Sequence, residues 1–415
     1  MKDENAARSS SVRAEQKLKI PFTVPDLSDA EIGEVVETLH SGWITTGPRT
    51  KLLERCLADY CGVNRGVCLN SATASLELTL RILGVGPGDE VITSAYTYTA
   101  TASPILHCGA KVVFVDTAPD SYEMDYDKMA DAVNEHTKAV IPVDLGGFCC
   151  DYDRIFAAVE SKKPLFHADS PLQEALGRVA VIADCAHALG SAYHGKRTGS
   201  VADFSVFSFH AVKNLTTAEG GAVLWKSISG VDDEELYRQY QLLSLHGQSK
   251  DALTKSKVGK WEYDIISPAY KCNMTDIAAA IGLKQLERYD RLLLRRRELF
   301  DRYDRAFADT DILTERLDGK NGLANGHLYL TRLPNRTEEQ RNRIIERMGE
   351  RGIAVNVHFK PLPMMTAYRN LGYSIEDFPN AYRQFANEIT LPLHSGLADD
   401  IADYIAEQYL SVIKE

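Results

Sequence analysis

Short apolar runs rich in β-branched residues recur through the first half of the chain, and stretches with helical periodicity separate them. The runs are Glu90–Ser94, Lys111–Asp116, Lys138–Val143, Val179–Asp184, Phe204–Ser208 and Ala222–Trp225. Several are apolar at consecutive rather than alternating positions, as strands are when both faces of a mostly parallel sheet are covered. Amphipathic stretches such as Ser71–Leu83, Tyr126–Val133 and Asp151–Val159 lie between them. This alternation predicts an α/β domain with helices on both faces of its sheet.

The rhythm changes beyond the midpoint. Met274–Phe307 reads as long helix, broken or continuous. Leu328–Leu333, a helix near Glu338–Gly352, a strand near Ile353–His358 and a last helix from Ala398 follow. The expected organisation is a tail at 1–20, a large α/β domain at 21–265, and a smaller C-terminal α+β domain at 266–415 that includes the long linking helix. Ser161–Gly177 interrupts the alternation and reads as a surface excursion.

Charge and composition remove several function classes. The net charge is −11, against the basic field that nucleic-acid binding needs. Arg295, Arg296 and Arg297 sit in helical pattern and read as a solvated face. No apolar stretch approaches the roughly 20 residues of a membrane span. Met1–Lys19 is polar and mixed in charge, without the apolar core of a signal peptide, and reads as a frayed tail. The eight cysteines show no paired CxxC spacing, so no metal site is expected and free thiols in a cytoplasmic protein are the default.

Four segments carry chemistry. Cys68-Leu-Asn-Ser-Ala-Thr-Ala-Ser75 is a strand end, small residues and a helix start, an arrangement that can bind an anion on free amides. A plain N-cap explains it equally well. Ala95-Tyr-Thr-Tyr-Thr-Ala100 puts aromatics just past a strand, where one can lie against a planar ring or simply fill core. Val181-Ile-Ala-Asp-Cys-Ala-His187 places Asp184 at the carboxyl end of a strand, where open α/β sheets bind ligands. A carboxylate there needs a partner, structural or a protonated ring nitrogen. Phe204-Ser-Val-Phe-Ser-Phe-His-Ala-Val-Lys213 sets a lysine in a low-charge stretch after a strand. An apolar pocket there would favour the neutral, nucleophilic amine; a surface lysine is the rival reading.

In order, spacing and content these segments resemble the DegT-type sugar aminotransferases, pyridoxal 5′-phosphate (PLP) enzymes of the aspartate-aminotransferase fold. The resemblance runs from Gly42-Trp-Ile-Thr-Thr-Gly-Pro48 through Gly88-Asp-Glu-Val-Ile92 and Gly109-Ala-Lys-Val-Val-Phe-Val-Asp116. It continues through the Asp184 and Lys213 segments to Ala278-Ala-Ala-Ile-Gly-Leu283 and Val357-His-Phe-Lys-Pro-Leu362. It implies a seven-stranded, mostly parallel sheet (PLP fold type I). Lys213 matches the lysine that carries PLP as a Schiff base, and Asp184 the carboxylate that keeps the pyridine nitrogen protonated. Tyr98 matches the aromatic stacked on the ring and His187 the side chain at its phenolic oxygen. Ala72, Thr73 and Ser208 match the phosphate cup. Trp43, Thr45, Thr46 and His358 match regions lining the sugar site.

The implied reaction takes an amino group from an amino acid, glutamate in most of the family, through a Lys213 aldimine and a pyridoxamine phosphate intermediate. The acceptor is a nucleotide-linked keto sugar, most often a 4-keto-6-deoxyhexose, in amino-sugar or surface-polysaccharide biosynthesis. A homodimer with its active sites at the interface is implied, an asparagine of the neighbouring subunit completing the cup. The sequence departs from the common pattern in three places. Ser-Gly-Thr is Ser71-Ala72-Thr73. Gly-Tyr-Asn-Tyr-Arg is Ala269-Tyr-Lys-Cys-Asn273, which makes Asn273 the candidate for the cross-subunit asparagine. Ser161–Gly177 is extra length near the Asp184 strand. Three alternatives stand beside the transaminase. A sugar dehydratase of the same family has histidine in place of Lys213. The others are a lyase or desulfurase on the same fold, and a non-catalytic PLP-binding regulator.

Overall fold

The computed structural model describes residues 19–250 and 262–415, so nearly all of the expected tail lies outside the described residues. Seven strands form the central sheet: β1 (Arg65–Leu69), β2 (Glu90–Ser94), β3 (Lys111–Val115), β4 (Thr137–Ile141), β5 (Ala180–Asp184), β6 (Phe204–Ser208) and β7 (Gly221–Trp225). Their spatial order is β1-β7-β6-β5-β4-β2-β3. The pairs β2–β3, β2–β4, β4–β5 and β5–β6 are parallel; β7 runs antiparallel to both its neighbours.

Consecutive apolar residues in these strands serve two cores. Ile182 and Val206 pack with Leu76 and Ile105 on one face; Val181 and Phe207 pack with Ile155 and Leu283 on the other. Each such side chain contributes about 1.5–3 kcal/mol by leaving water, and the period-two pleat distributes them between the layers. A third core joins Leu299, Tyr303, Ile344, Ile389 and Ile405. It lies among helices Tyr289–Phe307, Glu338–Glu350 and Asp399–Lys414 and a small sheet of Leu313–Thr314, Tyr329–Arg332 and Glu388–Leu391.

The long helical stretch is two helices, Asp276–Glu287 and Tyr289–Phe307, separated at Arg288. That guanidinium is fixed by Asp26 at 2.8 Å and Glu31 at 2.7 Å. The strand expected near Ile353–His358 does not form. Ile353 makes a single bridge to Ile20, and Asn356 one to Thr390. The N–H of His358 goes instead to a carboxylate, Glu388 Oε2, at 2.8 Å, so no ladder continues there. Ser161–Gly177 contains a 3₁₀ turn, Lys163–Leu165, and a short helix, Pro171–Leu176. Ser170 Oγ and Gln173 Nε2 both donate to Leu83 O at 2.8 Å. The segment leads into the amino end of β5, the end opposite Asp184. Among the described residues no helix is long and apolar enough to cross a membrane, and no three ligating side chains group as a metal site.

Candidate active site

The carboxyl ends of β1, β5 and β6 and the amino end of β7 converge on a cavity of about 360 Å³. Lys213 reaches it from the connection between β6 and β7, where its N–H donates to His210 O at 2.9 Å. Loss of water pushes its ammonium down to about 8, and the charge of Asp184 offsets part of that.

Asp184 ends β5 and is buried. Thr101 Oγ1 donates to its Oδ2 at 2.7 Å and Ala186 N–H to its Oδ1 at 3.1 Å. Burial raises its carboxyl above the ordinary range, against these hydrogen bonds and the nearby ammonium. Burial thus dominates on both charges, and each disfavours its ionised form unless a counter-charge arrives.

His187 is held as a neutral ring, by burial first and then by the charge of Lys213. Gly146 N–H donates to its Nδ1 at 3.1 Å, so its single proton sits on Nε2. Its ring stacks on Phe359 at 5.9 Å between centroids. Beside it stands His327, at 4.4 Å, whose Nδ1 meets Asn214 Oδ1 at 2.7 Å.

The helix Ala72–Ile82 points its amino end at the cavity. Ser71 Oγ caps it by accepting Ala74 N–H at 3.1 Å. The amides of Ala72 and Thr73 belong to the first turn, which has no intrahelical acceptors. Gly221 opens β7 directly behind this turn; a Cβ there would lie 2.3 Å from Ala72 N. Ser208, at the end of β6, lines the same cavity. Tyr98 is 60% exposed, with its ring 6.0 Å from that of Phe359, so one aromatic face is open to the cavity. His358 lines the same cavity, its ring 5.0 Å from that of Phe359.

Trp43, Thr45, Thr46 and Asn273 are not among the residues lining this cavity. They form a separate cluster. Trp43 Nε1 donates to Thr46 O at 3.1 Å, Asn273 Nδ2 to Thr46 Oγ1 at 2.5 Å, and Asp276 N to Thr45 O at 3.1 Å. Lys271 Nζ holds Asn273 Oδ1.

Sequence reading missed Thr101, the Asn214–His327 pair and Phe359. Of these Asn214 and Phe359 carried a local signal, their places next to Lys213 and His358. The donor set fits PLP: free amides at a helix terminus for a phosphate, an open aromatic face for a ring, a buried carboxylate for a ring nitrogen, and an amine of lowered pKa for an aldehyde.

The model of the DegT/DnrJ/EryC1/StrS aminotransferase family matches residues 25–409. The spore coat polysaccharide biosynthesis protein SpsC of Bacillus subtilis (strain 168) is 38% identical over 399 residues, covering 95% of this chain and 97% of SpsC. Spr1654 of Streptococcus pneumoniae, described as a sugar aminotransferase and solved in PMP, PLP and apo forms, is 54% identical. Its PMP form superposes with a TM-score of 0.93 over 96% of this chain and 98% of its own. Helicobacter pylori PseC, an aminotransferase involved in pseudoaminic acid biosynthesis, is 29% identical with a TM-score of 0.83, over 96% and 100% of the two chains.

Proposed function

The chain belongs to the DegT/DnrJ/EryC1/StrS aminotransferase family and is a PLP-dependent transaminase; from that premise we propose that it moves an amino group from an amino acid, glutamate first among candidates, to a nucleotide-linked keto sugar. A 4-keto-6-deoxyhexose is the acceptor we favour, for amino-sugar or surface-polysaccharide biosynthesis in the cytoplasm. The relatives' roles in spore coat polysaccharide and pseudoaminic acid biosynthesis support a sugar acceptor. The carrying observation is the Lys213 amine, lowered to about 8, sharing one cavity with the buried Asp184.

In this reading the Ala72 and Thr73 amides and the Ser208 hydroxyl hold the phosphate. Tyr98 covers the ring, Asp184 faces its nitrogen, and His187 donates from Nε2 to the phenolic oxygen. Bound PLP supplies an electron sink for the charge left on the substrate carbon. Asp184 keeps a proton at the ring nitrogen because that pairing relieves its own burial. Lys213 carries a proton to and from the substrate's amino-bearing carbon; an amine near neutrality can both take and return it. Positioning on a short loop between two strands supplies the orientation.

The working unit in this reading is a homodimer. Trp43, Thr45, Thr46 and Asn273 serve the partner's cavity, and His358 lines the sugar side of its own. The test is to charge the enzyme with glutamate and then offer a panel of nucleotide keto sugars. Return of the yellow PLP absorbance with one of them identifies the acceptor; no bleaching by any amino acid in protein shown to contain PLP sinks the proposal.

A further inference from the structure

His358 is fixed at every polar atom but one. Its N–H donates to Glu388 Oε2 at 2.8 Å, and its carbonyl accepts from Tyr96 OH at 2.8 Å. Its Nδ1 lies 2.9 Å from Thr390 Oγ1, and Thr390 Oγ1 lies 2.5 Å from Glu388 Oε1. Phe22 stacks on the ring at 5.6 Å. Only Nε2 is left to face the cavity that holds Lys213.

We propose that Glu388 is a positioning residue that dictates, through Thr390, whether His358 Nε2 donates or accepts a hydrogen bond in the cavity. The hydroxyl of Thr390 can donate in only one direction. If the Glu388 carboxyl bears a proton, that proton belongs on Oε1, which has Thr390 Oγ1 at 2.5 Å to receive it, while Oε2 is engaged in accepting the His358 N–H. It donates to Thr390, Thr390 donates to Nδ1, and Nε2 carries the ring proton. If the carboxyl is ionised, Thr390 donates to it, Nδ1–H donates to Thr390, and Nε2 is a bare acceptor. Between these states the Glu388 proton passes to Thr390, the Thr390 proton passes to Nδ1, and the Nε2 proton leaves into the cavity. The imidazole stays neutral in both.

The carboxyl is fully buried, and burial raises it to about 8. The His358 ring is held neutral by burial and by Lys213, at about 3. The other ionisable groups facing Glu388 are Arg341, which donates to its backbone carbonyl at 3.1 Å, Arg332, its register partner, and the phenols of Tyr96, Tyr122 and Tyr409. All three phenols are raised, so they remain neutral across the window in which Glu388 titrates. At neutral pH His358 therefore presents an Nε2–H donor, suited to a substrate oxygen. This use of the donor rests on the cavity being the transamination site; the proton arrangement itself does not.

The experiment is nitrogen NMR on PLP-loaded protein labelled with ¹⁵N-histidine, without substrate, the His358 signals being assigned by their loss in His358→Gln. At about pH 7 Nε2 resonates as a protonated and Nδ1 as a bare nitrogen, and the two exchange roles as pH rises to about 9.5. In Glu388→Gln the amide can only donate to Thr390, so Nε2 stays protonated throughout. Thr390→Val, which breaks the path without touching the carboxyl, also abolishes the exchange. A protonated Nδ1 at neutral pH, no exchange in the wild type, or exchange persisting in either variant overturns the proposal. Transamination itself is read separately, from bleaching by glutamate.

Discussion

Thr101 and Asp184 are joined by a 2.7 Å hydrogen bond from a helix to the end of β5, which aims one carboxylate oxygen and leaves the other to Ala186 N–H. Asp184→Asn keeps an acceptor for Thr101 but cannot balance a protonated ring nitrogen. Steady-state turnover should fall roughly 10²- to 10³-fold, as for loss of an electrostatic partner at a reacting centre. Thr101→Val should cost about 1–3 kcal/mol in chemical denaturation, since it leaves a buried carboxylate oxygen without its donor.

Lys213→Ala should retain PLP without a covalent link. Borohydride treatment should then add no cofactor mass to the protein, while in the wild type it should. Turnover should drop by about 10²–10⁴-fold or more, the range for loss of a general acid–base group.

The Lys213 amine, lowered to about 8 from an ordinary 10.5, should set the pH dependence of PLP uptake by apoenzyme. The neutral amine is the nucleophile, so the uptake rate should rise through about pH 8. About a tenth of the amine is already neutral at pH 7. Stopped-flow absorbance at several pH values gives the midpoint; one near 10.5 would contradict the burial argument.

Glu388 links stability to pH in the opposite sense from most carboxylates. The unfolded chain loses this proton above about 4.5, whereas the folded chain holds it to about 8. The folded state binds more protons between those values, so this residue's contribution to stability declines as pH rises through them. Thermal melts of Glu388→Gln should therefore gain on the wild type across that window.

Hybrid dimers test the assignment of Asn273. If it serves the partner's cavity, mixing Lys213→Ala with Asn273→Ala subunits restores one intact site per hybrid, and activity reappears from two impaired parents. A site built within one chain gives no recovery.

What the sequence made legible was what lies next to a strand end. Asp184, Ser208 and Lys213 follow apolar runs directly, and such runs announce both the sheet and its carboxyl edge. Glu388, Thr390 and Thr101 act across 30 to 83 positions, and nothing local marks a glutamate in a four-residue strand as a partner of His358. The run Ile353–His358 looked like a strand because its composition suits one. Composition does not reveal that the N–H groups of Val357 and His358 go to side-chain acceptors. Resemblance assigns Trp43, Thr45 and Thr46 to the sugar site and Asn273 to the neighbouring subunit's phosphate cup, and the fold keeps all four together yet away from the cavity of their own chain.

The reversed strand β7 decides how the Lys213 loop can vary. Because β6 arrives at the cavity and β7 departs from it, residues 209–220 begin and end at the same rim, tethered at both sides. Gly221 and the Ala72 amide leave no slack behind them. Lengthening this loop would shift the amine relative to Asp184 with no helix to absorb the change. Ser161–Gly177 enters at the far rim, where added chain leaves the reacting groups in register. The fold thus has one edge tolerant of insertion and one that is not, and grafting or loop redesign belongs on the former.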